Sequence, residues 1–145
     1  MPDFTPVPGS STVRQYVFAP TRTKEGRWLL AEPDVVFPDG FQRLGGAIVH
    51  LNPNAWAANH KHQRQEVLLG LAGNLYLVWR DSDGSRHETP LLRTDGQLQA
   101  FFIPPWVPHL VENRSATADA ALYEWVDLEC EAELLTGRDS LRPTK

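Results

Sequence analysis

The stretch that decides the fold reads His60-Lys61-His62-Gln63-Arg64-Gln65-Glu66, and Gly73 follows after six further residues. Residues two apart on an extended strand project to the same face, so His60 and His62 can share one metal ion. A straight strand would carry the Cα atom of Glu66 roughly 13 Å beyond that of His62, at about 3.3 Å per residue. The sequence therefore predicts a bend within residues 63–65, a strand over 66–72, a tight turn at 73–74 and a strand over 75–80.

A second segment supplies a further imidazole. Residues 101–109 read Phe-Phe-Ile-Pro-Pro-Trp-Val-Pro-His, and Asn113 follows. Proline cannot donate to a β-ladder, so residues 104–108 are predicted to form a fixed turn after a strand that ends at Ile103. We expect this turn to aim His109 from a new strand, as the fourth ligand of the ion.

At these positions the sequence resembles the cupin superfamily. Four residues match the spacing of the first cupin motif and three match the second: His60, His62, Glu66 and Gly73, then Pro104, His109 and Asn113. The resemblance implies an all-β fold, an antiparallel double-stranded β-helix or jelly-roll barrel with a metal site near its mouth.

Three positions depart from the cupin pattern. Asn54 and Trp106 stand where the family has glycine, and Gly96 lies two residues further from Pro104 than the motif asks. Asparagine tolerates the left-handed region, so Asn54 is a mild change. Trp106 implies either a different backbone in the turn or a use for the aromatic ring.

Three neutral imidazoles and one carboxylate leave a divalent ion with a net charge of about +1 and, in octahedral geometry, two open positions. This ligand set suits Fe(II), Mn(II), Ni(II), Co(II) and Zn(II), and the order of affinities does not choose among them. We expect one divalent ion per chain. Fe(II) is favoured because a dioxygenase, the favoured function below, requires a redox-active ion.

Composition narrows the class of protein. The net charge of −4 gives no basic surface for nucleic acid, and no apolar run approaches a membrane span. The first residues lack the features of a signal peptide, so we expect a cytoplasmic protein.

The single cysteine, Cys130, excludes an internal disulfide and is expected to be partly buried. The length predicts one domain over residues 1–145, with a flexible arm at 1–12 and a loose tail at 137–145.

Further short strands are predicted over residues 13–18, 27–31, 41–51, 87–92 and 120–126, separated by Gly, Pro and Asp turns. Residues 128–135 could form a final strand or a short helix. Many short strands without helical periodicity indicate an antiparallel sandwich or barrel, in agreement with the cupin resemblance.

Two tryptophans lie in predicted loops beside the ligand segments. If the site is at the barrel mouth, Trp56 and Trp106 line its entrance and contact a small-molecule substrate. Arg64 and Gln65, within the predicted bend, are further candidates for substrate contact. By contrast, Trp79 and Trp125 lie inside strand patterns and are expected in the core, while two other histidines, His50 and His87, are expected at the surface.

The cupin resemblance implies several chemistries, and fold alone does not select one. The favoured hypothesis is a dioxygenase that acts on an aromatic or other planar substrate, because residues 73–77 and 102–105 resemble small ring-opening cupin dioxygenases. A sugar or sugar-acid isomerase or epimerase is the alternative, for which Glu88 and Glu124 are the candidate bases. A non-enzymatic, metal-dependent binding protein is the third hypothesis.

Apolar residues on both faces of strands 75–80 and 122–126 predict a homodimer.

Overall fold

Alternating apolar and polar residues build two facing antiparallel sheets in the computed structural model, which describes residues 3–143. The first two residues of the predicted arm and the last two of the predicted tail lie outside the described residues. Within this range the strands are β1 (Thr5–Pro6), β2 (Arg14–Phe18), β3 (Arg22–Lys24), β4 (Arg27–Leu29), β5 (Gly45–Leu51), β6 (Trp56–Lys61), β7 (Glu66–Ala72), β8 (Leu75–Arg80), β9 (Arg86–Pro90), β10 (Leu98–Ile103), β11 (His109–Asn113), β12 (Ala120–Val126) and β13 (Glu133–Leu134). Short 3₁₀ helices cover Glu32–Asp34 and Gly137–Asp139.

One sheet has six strands in the order β1-β2-β10-β7-β12-β5, and the other has five in the order β13-β6-β11-β8-β9. All of these ladders are antiparallel, and β3 and β4 form a separate hairpin. The main core, which includes Leu68, Leu77, Trp79 and Phe101, lies between the two sheets. The predicted all-β class is therefore confirmed. Among the described residues, no helix is long and apolar enough to cross a membrane.

The predicted hairpin after the histidines is confirmed, because β7 and β8 have the expected bounds. Gly73, in the turn between them, has φ of 95°, and a Cβ atom there would lie 2.4 Å from the Cβ atom of Ala120. Glycine is required at this position by both conformation and space. Other bounds differ from the prediction: the strand expected over 41–51 begins at Gly45, and 128–135 contains only the two-residue strand β13.

Residues near each end of the described range pack against the sheets. Phe4 and Val7 in the predicted arm are buried, and the buried carboxylate of Asp81 accepts a hydrogen bond from the Ser11 amide at 2.9 Å. Leu141 in the predicted tail is fully buried. These contacts place both ends on the barrel, while their mobility in solution and the single-domain organisation stay predictions.

The apolar outer faces that predict a homodimer are partly covered by the chain itself. Val78 packs with Leu135 and Leu141 on the outer face of the five-stranded sheet. On the six-stranded sheet, Trp125 meets Phe37 edge-to-face at 5.3 Å between ring centroids. Because these faces are partly buried within one chain, they no longer require a second subunit, and the homodimer stays a prediction.

Candidate metal centre and cavity

The four predicted ligands converge between the two sheets. His60 is in β6 and His62 follows it, Glu66 begins β7, and His109 begins β11 beside His60. One ligand atom from each lies within 4.8 Å of the ligand atoms of the others. Two ligand atoms about 2.1 Å from a shared ion lie up to roughly 4.2 Å apart, so small side-chain adjustments bring all four into first-shell distance.

The predicted bend after His62 is confirmed, and backbone hydrogen bonds hold it. The Gln65 amide donates to Asp127 Oδ1 at 2.7 Å, and the Trp106 amide donates to the carbonyl oxygen of His62 at 2.7 Å. These two bonds fasten the bend to the ends of β12 and β10. Glu66 can therefore return to the ion although it lies four residues beyond His62.

Hydrogen bonds fix the orientation of two imidazoles. His62 Nδ1 lies 2.9 Å from the carbonyl oxygen of Arg64, and His109 Nδ1 lies 2.8 Å from that of Val107. A carbonyl oxygen only accepts, so each Nδ1 carries the proton and each neutral ring offers its Nε2 lone pair. Metal-binding histidines are commonly held in this way.

The Nε2 atoms then meet a carboxylate with no proton between them. His62 Nε2 lies 3.1 Å from Glu66 Oε1, and His109 Nε2 lies 3.3 Å from Glu66 Oε2. Among the described residues, His60 Nε2 and His109 Nε2 are buried without a hydrogen-bond partner. Lone pairs that face a buried carboxylate need a cation or protons to offset their repulsion. The donor set therefore fits a divalent metal ion.

Burial and charge keep the ligands in the forms that bind metal. Burial, and then the nearby rings of His109 and His62, lowers the pKa of His60 to about 4, so the ring is neutral at pH 7. Burial acts to raise the pKa of Glu66, but the adjoining imidazoles of His109 and His62 outweigh it and hold that pKa well below its usual range. Neutral imidazole and ionised carboxylate are the forms required for ligation.

Beside the ligands lies a cavity of about 160 Å³. Apolar side chains of Val49, Leu68, Val111 and Leu122 form part of its wall, and Glu124 shares that wall with His60, Glu66 and His109. No hydrogen bond or ion pair involves the Glu124 carboxylate among the described residues. Burial first, and then the charge of Glu66, raises the pKa of Glu124. The cavity therefore combines a candidate Lewis-acid site with an unpaired carboxyl group.

The structure separates Glu124 from Glu88, the other candidate base. Glu88 is bound to Arg114 at 2.7 Å, and its side chain is 49% exposed. Glu88 and Arg114 line a groove away from the ligands. Glu124 could be found in the sequence by its alternation with Ala120 and Leu122, which places it on the inward face of β12, but only once that face is known.

The architecture is shared with solved structures, although no protein-family model and no curated protein matches the sequence. QdtA, a sugar 3,4-ketoisomerase from Thermoanaerobacterium thermosaccharolyticum solved with TDP, is 15% identical, with a TM-score of 0.64 over 83% of this chain and 84% of that chain. A cupin 2 domain-containing protein from Halorhodospira halophila is 16% identical, with a TM-score of 0.55 over 86% and 84%. The capsular polysaccharide assembling protein CapF from Staphylococcus aureus is 20% identical, with a TM-score of 0.55 over 68% of this chain, which spans only 28% of CapF.

The chain has the cupin fold. Two departures from the cupin motifs now have a structural explanation, because Asn54 has φ of 62° and Trp106 has φ of 65°. Both residues adopt the left-handed backbone that glycine usually supplies. The turn before His109 is therefore kept despite the bulky side chain, which is 52% exposed.

The remaining predicted contact residues lie in different parts of the cupin barrel. Arg64 lines the cavity, and its Nη2 atom binds Glu66 Oε1 at 3.0 Å. Gln65 is half-buried in the bend. Trp56 lies in the separate groove, where the guanidinium of Arg142 stacks 4.4 Å from its ring centroid. The predicted aromatic lip of Trp56 and Trp106 is thus not assembled at this cavity, and substrate contact by any of these residues stays a prediction.

The other side chains follow expectation in part. Trp79 is fully buried and Trp125 nearly so, and Cys130 is partly buried, as predicted. His50 is largely exposed and lies 3.2 Å from Asp119. The prediction for His87 is wrong, because its ring stacks on Trp79 at 5.4 Å and its Nε2 lies 2.9 Å from Asp81.

Proposed function

We propose that the protein is a metal-dependent isomerase of a sugar or sugar-acid that carries a carbonyl group beside a hydroxyl-bearing carbon. In this proposal His60, His62, Glu66 and His109 bind one divalent ion, and Glu124 transfers the proton. The observation that carries it is the position of Glu124, an unpaired carboxyl group in the same cavity as the ligand cluster. An isomerase requires such a base beside its Lewis acid. The sequence alone did not distinguish Glu124 from Glu88 in this role.

A bound divalent ion supplies a Lewis acid that polarises the substrate carbonyl. The Glu124 carboxylate removes the proton from the hydroxyl-bearing carbon. The electron pair of that C–H bond forms a C=C bond to the carbonyl carbon, and the π pair of the carbonyl group moves to its oxygen. The hydroxyl proton passes to that oxygen, a new C=O bond forms at the deprotonated carbon, and Glu124 returns its proton to the former carbonyl carbon. Carbonyl and hydroxyl thereby exchange places without any oxidant.

A single base favours isomerisation over epimerisation. Inversion at one carbon needs a proton donor on the opposite face of the substrate, whereas a 1,2-shift uses one group on one face. Among the described residues that line the cavity, Glu124 is the only carboxyl group outside the ligand set. The raised pKa of Glu124 brings its two protonation states closer to neutral pH, which suits a group that accepts and returns a proton.

The size of the cavity bears on the substrate. At about 160 Å³ it is smaller than the roughly 300–1,000 Å³ of pockets that enclose drug-sized ligands. The cavity therefore suits the reacting end of a substrate, with any larger group outside. The fold similarity to a sugar 3,4-ketoisomerase supports this class, although 15% identity concerns the fold alone.

The dioxygenase hypothesis has less support. It rests on a short resemblance at residues 73–77 and 102–105, and it expects Trp56 and Trp106 to line the entrance of the site. Trp56 instead lies in the other groove, and Trp106 is not among the residues that line the cavity. A Lewis-acid role also removes the preference for Fe(II), since Zn(II), Mn(II), Co(II) or Ni(II) can polarise a carbonyl.

The test is an anaerobic screen of keto- and aldo-sugars with Zn(II)- or Mn(II)-loaded protein, beside an oxygen-electrode screen of aromatic diols and aminophenols with Fe(II)-loaded protein. We expect a sugar to be converted without O₂. Glu124→Gln should abolish conversion while metal content is kept, and the matched control Glu88→Gln should keep activity. O₂ consumption with an aromatic compound would instead favour the dioxygenase, and binding without turnover would favour a binding protein.

A further inference from the structure

The strand that carries His60 contains a bulge directly before this ligand. In the pairing of β6 with β11, His60 lies opposite His109 and Ala58 lies opposite Leu110, so Asn59 has no partner. Ala58 and Asn59 both have positive φ, 70° and 56°. Two consecutive left-handed residues that carry Cβ atoms are sterically unfavourable, and such a conformation persists only where the surroundings hold it.

The bulge decides where His60 points. In a regular strand, side chains three residues apart face opposite sides. Ala57 packs against the core between the sheets, so His60 would point outward if residues 57–60 formed a regular strand. Because the bulge leaves Asn59 out of the ladder, Ala57 and His60 both face the cavity, and both line it.

The side chain of Asn59 is bound to the end of the chain. Asn59 is 6% exposed, and its Oδ1 accepts from the Leu141 amide at 2.9 Å. Its Nδ2 donates to Ser140 Oγ at 3.0 Å and to the carbonyl oxygen of Leu135 at 3.4 Å. The Leu135 amide returns a bond to the carbonyl oxygen of Asn59 at 2.9 Å. The bulge is thus fastened on both its side chain and its backbone.

The C-terminal segment, residues 133–141, is itself anchored. Strand β13 pairs with the ligand strand, with Leu134 opposite His60. Leu135 and Leu141 are buried against Val78 and Leu110 on the outer face of the five-stranded sheet. This packing gives Asn59 a fixed set of partners.

We propose that Asn59 and the C-terminal segment together hold the bulge that turns His60 toward the cavity, so that Asn59 is a positioning residue of the metal site. The inference rests on the metal site proposed above. Loss of the Asn59 side chain releases the bulge and lets His60 leave the ligand set. Loss of a group that orients a metal ligand typically weakens metal affinity by about 10- to 100-fold.

The test measures the Kd for Zn(II) by competition with a chromophoric chelator. Asn59→Ala should raise the Kd by about 10- to 100-fold. Asn59→Gly, which adopts positive φ freely but lacks the hydrogen bonds, should not restore affinity. The matched control is Asn113→Ala on neighbouring β11, because Asn113 is also buried and its side chain is also hydrogen-bonded to the backbone, donating to the carbonyl oxygens of Leu51, Asn52 and Ala118. It should lower thermal stability and leave the Kd unchanged.

A double-mutant cycle separates positioning from general destabilisation. In a His60→Ala background, Asn59→Ala should have no further effect on the Kd, since the ligand that it positions is gone. An equal effect in both backgrounds, or an equal effect of Asn113→Ala, would overturn the inference.

If the wild-type protein binds no metal, the proposed function fails, and amide hydrogen exchange then decides the inference. Asn59→Ala should speed exchange of the Leu135 and Leu141 amides and of the residues of β6. Unchanged exchange in β6 would show that Asn59 does not hold the bulge.

Discussion

Replacing Asp81 with alanine should detach the N-terminal residues from the barrel and lower stability substantially. Asp81 is 5% exposed, and its carboxylate accepts hydrogen bonds from the Ser10 hydroxyl and the Ser11 amide, each at 2.9 Å, and from the Thr12 hydroxyl. The fully buried Trp79 indole also donates to it at 3.1 Å. Without the carboxylate, several donors lose an ionised partner in a place that water reaches poorly.

The expected cost is about 2–4 kcal/mol, because a hydrogen bond to a charged group contributes about 1.5–3 kcal/mol and a buried unpaired donor costs a similar amount. The pKa of Asp81 reflects the same hydrogen bonds and leads to a similar figure. Burial acts to raise this pKa, but the hydrogen bonds from Thr12, Ser11 and Ser10 outweigh it and lower the pKa from 3.8 to about 2. That difference corresponds to roughly 2.5 kcal/mol at about 1.4 kcal/mol per pKa unit. For a domain of about 150 residues, Tm should fall by about 5–15 °C.

The same pKa fixes the pH dependence. The folded protein favours the ionised carboxylate, so its contribution is present above pH 3.8 and is lost as the pH falls toward about 2. Urea denaturation of chelator-treated wild type and Asp81→Ala should therefore show a large difference at pH 7 that shrinks below pH 4. Asp83→Ala in the next turn is the control. Within residues 3–143 the Asp83 carboxylate accepts hydrogen bonds only from Ser85, so its loss should have a much smaller effect. A Tm change below 2 °C, or a difference that persists undiminished at pH 2, would refute the reasoning.

Three further predictions concern the metal and the assembly. Elemental analysis should find about one divalent ion per chain, and His62→Ala should lower that content sharply, whereas an unchanged ratio would remove His62 from the site. Acid should release the metal, because protons compete for imidazoles whose unperturbed pKa is about 6.5. Binding holds these rings neutral and depresses their pKa, so stabilisation by metal is present above the depressed value and fades below it; a chelator should thus lower Tm at pH 8 far more than at pH 5, and equal effects would count against the site. Light scattering at micromolar concentration should give the mass of a homodimer, and a monomer mass would exclude it.

The cluster of candidate ligands was predictable because each of its two parts depends on local geometry. Spacing alone places His60 and His62 on one side and demands a bend before Glu66, and the proline turn presents His109. The prediction did not need the bulge at Asn59, which determines that this side is the inside. Asn59 tolerates positive φ but Ala58 does not favour it, so two consecutive left-handed residues were not predictable there.

The role of Glu124 could not be separated from that of Glu88 because both lie in strand patterns. Their difference depends on which sheet face is covered and on which strands are neighbours, and those are long-range properties. The burial of Val78 is also a long-range property, because Leu141, more than sixty residues later in the sequence, packs against it. Apolar residues on both faces of a strand indicate burial, but they do not indicate whether the cover comes from the same chain or from another.

Proton transfer in D₂O tests the central claim most directly. Zn(II)-loaded protein is incubated without O₂ with the sugar found in the screen, and NMR follows both its conversion and the deuterium that enters beside the carbonyl. We predict that wild-type protein does both, and that Glu124→Gln with equal metal content slows them by about 10²–10⁴-fold, the usual contribution of a general base. Equal rates in wild type and Glu124→Gln, or conversion only when O₂ is admitted, would contradict the account.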